Sequence, residues 1–335
     1  MNDNETPVER KVQLTGGSTY TVSLPKDWAG RQNIEPGCLV NLYSRGEQLV
    51  MTRSGCGPAE ERHTSTIQAG DEDPATLALS IGSAYIAGCE QIHVEEIRTT
   101  DQRRALVRTI RDFVGLEVIT EDETSLVAQT MLDVGDLSPE QTLAQLERTA
   151  LEMHERAVEA VVDADREVGT RTARQDDDVD RLFALVSRGF QQSLVDPAVT
   201  MGNDDDLTPF EYYMAARQLE RIGDHAEKIA TTASRLAGPP PADIGNELGT
   251  FGRRARTVVQ QALSGLLDNP EELGSVIADA ERLLDDIEAM DERLYGEGLE
   301  DGYLLGLVLD SIERTTQYGV NVAEAGLQTQ HRTGG

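Results

Sequence analysis

Lysine is almost missing from this sequence. Lys11, Lys26 and Lys228 are the only three, the other 27 bases are arginine, and 60 acidic residues bring the formal net charge to −30. Charge of that size bears on solubility and partners rather than on fold. A carboxylate-rich, lysine-poor surface fits a protein kept hydrated in a salt-rich cytoplasm. Cysteine is scarce too: Cys38, Cys56 and Cys89 are odd in number and lack metal-site spacing, which argues against a disulfide-stapled secreted scaffold. No apolar run approaches the roughly 18 residues of a spanning helix, and Met1–Arg10 is polar without a signal-peptide pattern. A soluble cytoplasmic protein without membrane insertion is expected. Also missing are a phosphate-binding glycine loop, an HExxH zinc motif and a nucleophile elbow. No catalytic residue is therefore assigned, and the chain is not read as an enzyme.

The charge is unevenly placed. Residues 1–55 hold six basic and six acidic residues, so the whole −30 falls on residues 56–335. Any approach to nucleic acid belongs to the first 55 residues. There, apolar residues alternate at Val12 and Leu14, at Tyr20, Val22 and Leu24, at Val40 and Leu42, and at Leu49 and Met51, the period of short strands. Gly16-Gly17 and Arg45-Gly46 break the pairs. Pro25 opens a short helix through Trp28 to about Asn33, and Glu35-Pro36-Gly37 makes a turn. So few residues bury little surface on their own, so this module is expected to form a homodimer.

Arg10-Lys11-Val12, the stretch from Thr21 to Lys26 and Ile34-Glu-Pro-Gly37 resemble the AbrB/SpoVT swapped-hairpin domain. The resemblance implies intertwined dimers and DNA binding through Arg10, Lys11 and Lys26. One departure stands out: Gly16-Gly17-Ser18-Thr19 replaces the usual Lys-Gly-Gln of the first hairpin, which leaves a plain dimerisation clamp as the alternative.

Residues 54–72 are rich in Gly, Ser, Thr and acids and read as a linker. A helix near 74–87, a strand near 91–95, a helix near 101–113 and strands near 117–120 and 125–132 follow, a small α/β layer. Glu90 and His93 are three apart. On a strand that spacing sends them to opposite faces, so they are not read as a metal pair.

From residue 138 the pattern turns helical, with helices expected at about 139–168, 172–195, 208–237, 247–268, 270–296 and 301–329. Ser138-Pro-Glu-Gln141 and Thr208-Pro-Phe-Glu211 are capping boxes with Pro at the first helical position, and Asn269-Pro-Glu-Glu272 is a close variant. Gly238 followed by three prolines stops a helix. The six helices form two similar sets of three: Leu219–Ala230 aligns with Ile312–Ala323 at an offset of 93. Leu219, Ile222, Ala226, Ile229, Ala233 and Leu236 recur as one buried seam. The fold class is mainly α, an elongated bundle of two three-helix repeats. Domains are expected at 1–55, 56–136, 137–240 and 241–330.

The Leu-Glu-Arg-Ile-Gly-Asp-His-Ala core of Leu219–Ala230 resembles the third helix of a PhoU repeat, and the tandem arrangement fits that family across about 138–330. With an AbrB-like module in front, the resemblance is closest to archaeal phosphate-uptake regulators. It implies a negative regulator of phosphate uptake and homeostasis that contacts the ATPase subunit of a phosphate ABC transporter. An AbrB-type transcription regulator with the bundle as its sensor is the alternative.

Glu220 and Asp224 stand i,i+4 on one helix face, and Asp176 and Asp180 repeat the spacing on the preceding helix. Such like-charge pairs cost roughly 0.2–0.5 kcal/mol each. A hard cation, or iron bridged by several carboxylates, would compensate. So would a solvated face balanced by Arg217 and Arg221. The family's E(D)xxxD motifs hold iron or zinc clusters in some members, and these four positions match. The second repeat departs, with Leu284, Gln317 and Tyr318 in place of Asp176, Asp224 and His225. Di-iron enzymes of helical bundles need two helical Glu-x-x-His motifs, which these helices lack.

Overall fold

The computed structural model describes residues 7–45, 48–54, 63–132, 138–195, 207–268 and 270–333. The chain divides into two compact units, Met1–Glu61 and Arg62–Gly335.

In the first unit, β1 (Gln13–Thr15) pairs antiparallel with β2 (Thr19–Thr21), and β3 (Leu39–Arg45) with β4 (Gln48–Ser54). The left-handed Gly16 and Gly17 (φ +66° and +81°) turn the first hairpin, as their lack of a Cβ permits. Between the hairpins lies α1 (Lys26–Arg31), with Pro25 at its N-cap. Among the described residues of this unit none is fully buried, and Leu14, Tyr20 and Leu39 are 60–77% exposed.

The second unit opens with a four-stranded sheet in the order β5-β6-β8-β7. β5 (Thr64–Gln68) runs parallel to β6 (Gln91–Glu95), while β8 (Leu126–Thr130) is antiparallel to both β6 and β7 (Leu116–Glu121). The helices α2 (Pro74–Ile86) and α3 (Thr100–Asp112) share one apolar core with the sheet. Ile92 and Val94 point into that core and His93 away from it; Glu90 lies just before β6 and is exposed. The linker expected at 54–72 is corrected in part: Thr64–Gln68 is a strand. Its sequence, Thr-Ser-Thr-Ile-Gln, has one large apolar residue because an edge strand buries little. Residues 55–62 lie outside the described residues.

The remaining helices are α4 (Pro139–Val162), α5 (Arg166–Ala173), α6 (Asp176–Val195), α7 (Pro209–Ala233), α8 (Ala242–Leu267), α9 (Leu273–Glu297) and α10 (Gly302–Thr333). A mainly α bundle is what the chain forms. α7 lies along α4 and α10, α8 along α10 and α4, with α6 and α9 packed outside. The expected seam from Leu219 to Leu236 is buried throughout. The Thr208 capping box is closed by Glu211 in both directions.

The single helix expected at 139–168 is broken, and that expectation is corrected. Ala164 turns left-handed at φ +49°, and Asp165 caps a new helix by accepting from the backbone N–H of Glu167 and Val168 at 3.0 and 2.9 Å. The break carries neither Gly nor Pro, so an aspartate cap is its one mark in the sequence. Helix α8 likewise begins at Ala242, ahead of the expected 247, directly after Pro241. A 3-10 turn, Pro270–Glu272, leads into α9; Asn269 of the third capping pattern lies outside the described residues.

Candidate functional site

Helices α6 and α7 approach closely because residue 223 is glycine. A Cβ there would lie 2.8 Å from Val179 Cγ1 and 3.3 Å from Asp176 Oδ1. The approach brings Asp176 and Asp180, on the first turns of α6, beside Glu220 and Asp224 on α7. Burial pushes Asp176 up to about 7, and the charges of Asp180, Glu227, Asp224 and Asp177 add to the shift. Asp180, although exposed, is raised by partial desolvation, then by Asp224, Asp177 and Glu227, against the pull of Arg217. Glu220 is pushed up to about 6 by burial, with Arg217 opposing and Asp224 and Asp180 adding. The charge of Asp224 thus acts on all three of the other carboxylates expected from the sequence. Glu227, three residues past Asp224, joins them and was not anticipated.

Two oxygens of this cluster have no partner. Arg217 Nη1 donates to Glu220 Oε1 at 3.1 Å, but Glu220 Oε2 and Asp176 Oδ1 are buried without a hydrogen bond among the described residues. Arg221 lies over the Tyr318 ring at 5.7 Å. Orphaned carboxylate oxygens in a raised-pKa cluster want a proton or a hard cation, so the donor chemistry fits a divalent metal. Among the described residues no three His, Cys, Asp or Glu side chains are gathered closely enough to chelate one.

The second repeat resolves the same problem differently. At the position matching Asp224, the Gln317 amide donates to Glu313 Oε1 at 2.7 Å. An acceptor–acceptor conflict has become a hydrogen bond, and no orphan oxygen remains on Glu313 among the described residues.

A buried polar layer crosses the centre of the bundle. The Tyr318 hydroxyl meets His225 Nε2 at 3.3 Å. These two residues are counterparts under the 93-residue offset, so the repeats meet at equivalent positions, as across a local two-fold axis. Nearby, Arg256 Nη1 donates to His154 Nδ1 at 3.3 Å and Nη2 to Glu155 at 3.0 Å. His154 is fully buried. Burial, with the charges of Arg256 and His225, pushes it down to about 3. Burial likewise pushes His225 down to about 4, with Lys228 adding. His154 carries no sequence signal, being one histidine in an amphipathic helix.

In the first unit Arg10 and Lys11 precede β1 and Lys26 opens α1; all three are exposed. Among the described residues no carboxylate pairs with them.

By architecture this is a helical-bundle protein with an α/β layer and an amino-terminal pair of hairpins. Residues 143–233 match the family model described as PhoU domain. Residues 13–54 match the model described as Antidote-toxin recognition MazE, bacterial antitoxin. The chain thus carries a PhoU domain behind a MazE/AbrB-like domain. A Phosphate-specific transport system accessory protein PhoU homolog from Synechocystis sp. is 27% identical over 117 residues, 32% of this chain and 51% of that protein. The chain therefore spans about half the length of that relative. The crystal structure of PhoU from Pseudomonas aeruginosa aligns with a TM-score of 0.46 at 20% identity, covering 58% of this chain and 96% of that one.

Proposed function

We propose that the chain regulates phosphate uptake and intracellular phosphate homeostasis from the cytoplasm, restraining transport by contact with the ATPase subunit of a phosphate ABC transporter. The observation that carries this reading is the PhoU domain at residues 143–233. The accessory-protein relative supports it. Among the described residues no helix is long and apolar enough to cross a membrane, which suits an accessory subunit. Asp176, Asp180, Glu220 and Asp224 would hold a divalent cation or iron only after drawing closer together than they stand here. The charge of the metal would offset the repulsion that helps to raise Asp176, Asp180 and Glu220. Deleting the gene should raise uptake of labelled phosphate under phosphate-replete conditions, and the full chain should co-purify with the ATPase subunit. Unchanged uptake together with no co-purification would remove the adaptor reading. Elemental analysis of protein purified without chelator tests the metal: content should fall in the Asp176→Asn, Glu220→Gln double variant.

A second reading is favoured by one observation of its own. The MazE-type match at residues 13–54 adjoins the exposed Arg10 and Lys11 and includes Lys26, in the segment whose formal charge is zero. In this reading the unit is a DNA-binding homodimer and the bundle is its sensor. Both activities fit on one chain.

A further inference from the structure

Helix α6 carries Asp176 and Asp180 at its start, and farther along it carries the α/β layer. Ala184 is buried in that layer's apolar core. Arg188, the largest fully buried side chain, is 1% exposed. Its Nη1 donates to the carbonyls of Tyr85 at 2.5 Å and Cys89 at 3.0 Å, and its Nη2 to that of Gly88 at 3.3 Å. Its guanidinium carbon lies 4.9 Å from the centre of the Tyr85 ring.

Those three carbonyls are the end of α2. Gly88 N–H returns to Tyr85 O and Cys89 N–H to Ala84 O, with Gly88 left-handed at φ +91°, a Schellman closure. It leaves lone pairs facing outward at the negative end of the helix. A buried cation needs hydrogen bonds and compensating charge; this one takes its hydrogen bonds from a helix terminus, with the charge of Glu90 acting in its favour and its Nε left without a partner among the described residues. The other helix of the layer has a single, more exposed tether: Arg181 Nε donates to Asp112 O, at the end of α3, at 3.0 Å. Arg181 and Arg188 are seven apart, on one face of α6. Two arginines thus clamp the carboxyl-terminal ends of both layer helices.

A guanidinium fork holding three carbonyls fixes direction as well as distance, so α2 and α6 cannot slide or rotate past one another while the clamp holds. We propose that α6 is a transmission element: the α/β layer, through Arg181 and Arg188, sets where α6 presents Asp176 and Asp180 to Glu220 and Asp224. The α/β layer is then a control element for the carboxylate site rather than a spacer. This rests on the carboxylates being a functional site, but the coupling itself is physical and can be measured without metal.

The test is hydrogen–deuterium exchange on chelator-treated full-length protein. In the Arg188→Met variant, exchange should rise by roughly tenfold or more at the ends of α2 and α6, and also in 176–184 and in the facing 219–227. Helix α9 should be unchanged, which shows that the variant folds. Arg181→Ala removes the outer tether alone and should give a smaller rise in the same distant segments, which keeps the test decisive should Arg188→Met not fold. A rise confined to residues near 85–90 and 186–192, or none, overturns the coupling. Calorimetric titration of wild type with Mn²⁺ separates the two ideas. No binding with distant exchange effects retires the metal and keeps the transmission; binding with only local effects does the reverse.

Discussion

Asp176 and His154 are both driven toward neutrality by burial, and their signs in the stability balance are opposite. The folded-state pKa of Asp176, about 7, lies above the ordinary 3.8. Its contribution is fully present below the unfolded value and is lost as pH rises through 7. At pH 8 the ionised side chain therefore works against the fold. Asp176→Asn should stabilise metal-free protein at pH 8 by about 2 kcal/mol, a value already reduced for partial exposure. The gain should shrink toward pH 4.5, where the aspartate is protonated. Urea unfolding at both pH values measures it, and equal stabilities at pH 8 would defeat the argument. His154 works the other way. Depressed to about 3, it contributes stability that is complete above 6.5 and is lost as pH falls from there toward 3. The slope is about 1.4 kcal/mol per pH unit. His225, at about 4, acts in the same sense. Since carboxylates and histidines oppose one another over one window, the wild type alone separates nothing. The difference between wild type and His154→Leu does: the variant should lose less stability between pH 6.5 and 5. Parallel curves would mean that His154 is not buried neutral.

At the scale of elements, Gly223 sets the spacing between α6 and α7. Replacing a helical glycine with alanine ordinarily gains up to about 1 kcal/mol. Here the Cβ meets Val179 at 2.8 Å, and overpacking of that kind costs about 1–3 kcal/mol. Gly223→Ala should therefore lower the melting temperature, and Val179→Ala in the same chain should restore part of the loss. Melting at or above wild type would show that the helices have room to part. The features legible in the sequence were those written in periodicity and caps. The α7 seam, the Thr208 box and three of the four strands of the α/β layer follow from residues that each element needs for itself. The like-charged pairs at 176/180 and 220/224 were legible for the same reason, since the spacing alone puts them on one face. Arg188 was not. Its partners are backbone carbonyls about 100 residues away, and a carbonyl has no letter in the sequence. Thr64–Gln68 and the turn at Ala164 escaped on similar grounds, being fixed by a neighbouring strand and by a left-handed residue that is neither Gly nor Asn. Glu227 shares the face of Glu220 and Asp224 by its spacing, and its charge reaches Asp176 and Asp180 because α6 packs where it does.

Across the whole molecule, the formal charge of −30 lies outside the first 55 residues, while those residues leave Leu14, Tyr20 and Leu39 largely in water. A unit of that size with no buried residue among those described gains most by pairing with a second copy. Light scattering should give at least a dimer, with a lower mass after deletion of residues 1–55; an unchanged oligomer would place the interface elsewhere. Such a dimer, if it binds DNA, would set a ceiling on how that binding depends on salt. Arg10, Lys11 and Lys26 from two copies make at most six phosphate contacts. At roughly −0.9 per contact, log affinity against log salt can fall no more steeply than about −5. At high salt little of that term survives, and at low salt the acidic remainder of the chain adds repulsion. Sequence-selective binding must then come from base edges and groove shape met by two symmetric copies, which points to a palindromic site. Changing Arg10 and Lys11 to Ala removes four of the six contacts. That should cut the slope to about −2 and abolish selective binding to DNA from upstream of phosphate-transport genes. Fluorescence anisotropy over a salt series measures both quantities. A wild-type slope much steeper than −5 would place further cations on the DNA. No selective binding at any salt that keeps the protein folded would reduce the amino-terminal unit to a clamp, with regulation carried by protein contacts through the helical bundle.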